Sequence, residues 1–187
     1  EVETLEAGTD NNNPIIVYLE ENAEMPEVKE GTLAIEAEEE SATGVYTMTL
    51  EEDLDLGTSS LTLNQNTIIE GNDKTLTYSG AGRAIEMPSV IENETYLDVT
   101  IKDLTINCTS GYCERAINYN ANGKLVLENV TVKGNYIVYA LNFPGKSNGA
   151  TVTITDSEIT GLIALNVWGE NMTINVTGSE LTSVDNT

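Results

Sequence analysis

Histidine is absent from this 187-residue chain, and bases are scarce: eight Lys and Arg stand against 31 Asp and Glu. The resulting net charge of -23 repels nucleic acid and anionic membrane surfaces, so no nucleic-acid partner is expected. No apolar run approaches the ~20 residues that span a bilayer, and membrane insertion is not expected either. Aromatics make up only 5% of the residues. With two cysteines and no His, a zinc site is hard to build. Those cysteines, Cys108 and Cys113, share one short segment, and a pair so close closes a small disulfide loop if the compartment is oxidising. No signal peptide is present, and the chain begins at Glu1 rather than Met, as a processed chain does.

What the sequence does contain is strand-forming residues. The hydrophobic fraction is 40%, and Val, Ile, Leu and Thr dominate it and its surroundings. The acidity is uneven: residues 1–56 carry 17 of the acidic side chains and a single base, Lys29. Such crowding reads first as a solvated surface. It also attracts calcium, the one cofactor the composition leaves open.

Internal repetition decides the fold. Segments 99–106, 125–132 and 152–159 align without gaps as apolar-x-apolar-x-Asx followed by a second short alternating strand, and 174–181 is a degenerate copy. Their Asx positions, Asp103, Asn129 and Asp156, are 26 and 27 residues apart. A second ladder, Ala116-Ile117-Asn118, Ala140-Leu141-Asn142 and Ala164-Leu165-Asn166, recurs every 24 residues, and Gly/Asn-rich turns follow each copy.

Two-residue alternation puts Ile101, Leu127 and Ile154 on one face and Lys102, Glu128 and Thr155 on the other. A short strand with one apolar face is unstable alone, but stacking equivalent strands about 4.8 Å apart buries those faces in one column. The spacing therefore predicts an all-β, right-handed, single-stranded parallel β-helix with three short strands per coil. The Asx residues fall at the corner between the first two strands, where they tolerate left-handed backbone. A β-sandwich is the competing arrangement, and the in-register ladders argue against it.

The run 67–77, with Glu70-Gly71-Asn72-Asp73-Lys74-Thr75-Leu76-Thr77, resembles the hydrophobic-Asp-Gly-Asn-Gly-x-Thr-Ile signature of the pectate-lyase-like superfamily. The coils after residue 97 are similar to the later rungs of those proteins, and the likeness extends over roughly 46–181. It implies the fold. It does not imply an activity, because the superfamily holds lyases, hydrolases, adhesins and inert scaffolds. Its pectin-type hydrolases use Asn-Thr-Asp, Asp-Asp, Gly-His-Gly and Arg-Ile-Lys strings, none of which occurs here. The Trp-x-Asp-His element of its lyases is not matched by Trp168-Gly169-Glu170-Asn171.

The catalytic candidates that remain are Asp103 and Asp156, with Asn129 between them, and Arg115 or Arg83 as a base beside a uronate. A mixed Asp/Asn corner is more often structural. Candidates for ligand contact are Asn118, Asn142 and Asn166, whose amides suit sugar hydroxyls or one another, and the loop-side aromatics Tyr139 and Trp168. Residues 1–45 break the repeat, contain strand-like runs at 15–19 and 32–36, and are expected to cap the first coil. Residues 46–187 form the coils. The sequence stops one strand into a coil, so a continuation or a partner is expected to cover that end.

These expectations amount to an extracellular or cell-surface module, non-catalytic, for adhesion or contact with a polysaccharide or host glycan. The alternatives are a polysaccharide lyase or hydrolase and a structural spacer of a larger surface protein.

Overall fold

The structure, a computed structural model, describes residues 15–16, 35–38, 44–87 and 96–184. It is a parallel β-solenoid of about five turns with almost no helix. Each coil contributes three arms. The first and second arms run almost continuously, as in Thr67–Tyr78, Val99–Cys108 and Lys124–Gly134, then as the pairs Thr151–Thr155 with Glu158–Gly161 and Thr173–Thr177 with Glu180–Ser183. The third arm is built from Leu61–Thr62, Arg83–Met87, Cys113–Tyr119, Ile137–Phe143 and Ile163–Val167.

The register is the one the repeats predict. Leu127 pairs with Ile101 on one side and Ile154 on the other, and Val152 pairs with Ile174. In the third arm Leu141 lies between Ile117 and Leu165. Pairing between coils is parallel throughout these columns, which excludes the sandwich. Ile101, Leu127 and Ile154 are fully buried, and Tyr78, Tyr119 and Phe143 are the largest fully buried side chains among the described residues.

The corner between first and second arms turns on left-handed residues: Asp103, Asn129 and Asp156 have φ of 49°, 52° and 49°. L-residues other than Asn and Asp rarely adopt that conformation. The last copy uses Gly178, at φ 62°, where an added Cβ would lie 2.1 Å from Asp156 Oδ1. The left-handed turn favours glycine there, and a side chain would also have to displace the Asp156 carboxylate.

At the N-terminal side, Ile35–Glu38 lies antiparallel along Tyr46–Leu50, and Ile15–Ile16 runs parallel to Leu61–Thr62. Residues 1–14, 17–34 and 39–43 of the expected cap lie outside the described residues. At the other side the final coil is thinly covered. Ile163, Val167, Val176 and Val184 are each exposed by 39–45%. No helix among the described residues is long and apolar enough to cross a membrane.

Candidate functional site

The Asx corner holds the candidate carboxylates Asp103 and Asp156. Its side chains are turned to local work. Asn129 Nδ2 donates to Asp103 Oδ1 at 2.7 Å, bridging two coils on the surface. The bend interrupts the backbone ladder, and serine hydroxyls take over: Val130 N donates to Ser157 Oγ and Ser157 N to Ser179 Oγ, each at 3.0 Å. In the sequence only their fixed position after Asp156 and Gly178 signals these serines. Among the described residues, no group of three or more His, Cys, Asp or Glu side chains is placed to hold a metal ion.

Arg83 and Arg115 occupy one register position on adjacent coils of the third arm, followed by Tyr139 and then Ile163. Like charges about 4.8 Å apart repel, and two glutamates separate them. Arg83 Nη1 meets Glu86 Oε2 at 2.9 Å, and Arg115 Nη2 meets Glu114 Oε1 at 3.0 Å. Arg115 Nε is buried with no partner. The whole second arm, 104–108, separates Asp103 from this cluster, about 16 Å of extended chain. Asp103 and Asp156 thus stand at the corner before the second arm, while Arg83 and Arg115 lie in the third.

Cys108 and Cys113 are brought together. Both are buried, and they stand as thiols, with Cys113 Sγ donating to Cys108 Sγ at 3.3 Å. Beside them Tyr112 and Tyr136 stack across two coils, ring centroids 5.9 Å apart.

The asparagines form a directed chain along the solenoid. Asn118 Nδ2 donates to Glu86 Oε1 at 2.8 Å, Asn142 Nδ2 to Asn118 Oδ1 at 2.5 Å and Asn166 Nδ2 to Asn142 Oδ1 at 2.6 Å. Trp168 Nε1 closes it on Asn166 Oδ1 at 3.1 Å. Every donor in this ladder points towards Glu86. Asn118 and Asn142 are buried, so their amides are spent on one another. Burial pushes the Glu86 carboxyl above the ordinary 4.5, while Arg83 and Asn118 pull it back.

Trp168 is the exposed terminus of this buried chain. Its residue is 73% exposed, the most of any large apolar side chain described, yet its indole N–H is fixed. It stands beside Val167 at the end of the third arm. An aromatic held by one edge and wet elsewhere can receive a flat apolar ligand surface without first being ordered.

Comparison with family models, with curated proteins and with solved structures finds no match to this chain. The parallel β-solenoid thus rests on the chain's own repeats and pairing.

Proposed function

We propose that this chain is a non-catalytic β-solenoid module, acting outside the cytoplasm, that holds a glycan against Trp168. A single observation carries the reading: the exposed indole donates its N–H to Asn166, the partly buried last rung of a ladder whose inner rungs are buried. Sugar rings present apolar C–H faces, and a fixed aromatic offers a stacking surface of large area at small entropic cost. The resemblance of 67–77 to the pectate-lyase-like superfamily accords with a polysaccharide ligand.

A glycan array probed with and without calcium tests this, using wild type and Trp168→Ala with unchanged circular dichroism. The expected result is a hit whose affinity falls at least tenfold in the variant, as loss of one stacking contact of ~1.5 kcal/mol implies. Binding that Trp168→Ala leaves intact overturns the assignment. A calcium-dependent uronate hit of that kind would turn attention back to a lyase. Silence across the array leaves the structural spacer.

A further inference from the structure

We propose that Cys108 and Cys113 are a cross-linking pair, closed while the chain folds in an oxidising compartment and then sealed inside the coil. Cys108 ends the strand Val99–Cys108 and Cys113 opens Cys113–Tyr119, so the link spans the corner between second and third arms. The corner itself, 109–112, lies outward, with Thr109, Gly111 and Tyr112 exposed. Hydrogen bonds already hold its shape: Thr109 N donates to Tyr78 O at 2.8 Å, Ser110 Oγ to Gly80 O at 2.9 Å and Cys113 N to Tyr136 O at 2.8 Å. The fold therefore presents the two sulfurs at 3.3 Å without help from a bond between them. A disulfide needs them about 1.3 Å closer, within the reach of side-chain rotation. The chain has no third cysteine to compete.

The step balances with a small-molecule disulfide such as glutathione disulfide as oxidant. One cysteine thiolate attacks it, forming a mixed disulfide and releasing one small thiol. The second cysteine thiolate then displaces the other small thiol, leaving the protein disulfide. The two electrons reside in the two small thiols, which also take the protons. Timing follows from the surroundings. In the folded chain both sulfurs are fully buried, so a dissolved oxidant reaches them only before the coil closes. The same burial shields a finished bond from reductants.

The test is to refold the full chain from urea in a glutathione disulfide/glutathione buffer and, separately, with a phosphine reductant. Oxidative refolding is expected to give a monomer lighter by two hydrogens, with no thiol left to alkylate after unfolding. Its Tm is expected to lie about 5 °C above that of the reduced form. The Cys108→Ala/Cys113→Ala variant is expected to show one Tm in both buffers. Should that variant fail to fold, the mass and alkylation of wild type still decide. Two alkylatable thiols after oxidative refolding, an intermolecular product, or equal Tm values in the two buffers overturn the proposal, leaving the pair as small apolar core residues.

Discussion

Asn129 combines two demands in one side chain. Its backbone sits at φ 52°, and its amide reaches Asp103 on the preceding coil. A Cβ without a polar group raises the cost of left-handed backbone, whereas glycine escapes it. Both Asn129→Ala and Asn129→Gly lose the 2.7 Å bond. The alanine variant is nonetheless expected to be less stable than the glycine variant by about 1 kcal/mol, measured as urea midpoints multiplied by a common m-value. Equal midpoints would mean that the corner's conformation is not what the residue supplies. The Asx corner was legible in the sequence because its residue types are those that tolerate a bend. The stacking of Tyr112 on Tyr136 was not, although the two lie the same 24 residues apart as the third-arm ladder, because spacing sets side chains side by side without fixing how their rings turn. Nor did the sequence reveal that Trp168 is tethered, because Asn166 reads equally well as a surface amide.

Among the elements, the third arm carries the most chemistry, because its ladder ends on an acid at one side and an exposed indole at the other. Glu86 is the only ionisable member of the ladder, with Arg83 and Arg115 as the charges that draw its carboxyl down and burial as the larger effect pushing it up. Below pH 4.5, the ordinary value, Glu86 is protonated in both folded and unfolded chains. As pH rises from there the unfolded chain releases its proton first, so folding loses stability until the pH passes the raised folded value. The fold is therefore favoured on the acidic side of that window. Melting wild type and Glu86→Gln between pH 4.5 and 7 is expected to show a steeper fall of Tm for wild type. Parallel curves would mean the carboxylate is not penalised in the fold. The Ala-apolar-Asn spacing announced this arm in the sequence, and Ile117, Leu141 and Leu165 pair as that spacing requires. The direction of the hydrogen bonds was beyond sequence reasoning, since an amide's donor and acceptor are assigned only by its neighbours.

Across the whole molecule, stacked coils convert weak strands into one apolar column, and the net charge of -23 works against their compaction. The column is tightest in its middle coils and opens towards Thr173–Thr177, whose residues are mostly exposed. Repeats in 99–181 made this architecture readable, since Val, Ile and Leu recur at positions that only parallel stacking can align. The expected cap was readable only as a break in that pattern. Everything proposed for Trp168 and for the cysteine pair depends on the parallel register, which double-cysteine trapping in a Cys108→Ala/Cys113→Ala background tests most directly. Val126 is in register with Thr153, and Thr131 with Glu158. Parallel coils predict that Val126→Cys/Thr153→Cys and Thr131→Cys/Glu158→Cys both cross-link rapidly on oxidation, while the crossed pair Val126→Cys/Glu158→Cys does not. Cross-linking of the crossed pair alone would mean antiparallel strands and would contradict the solenoid.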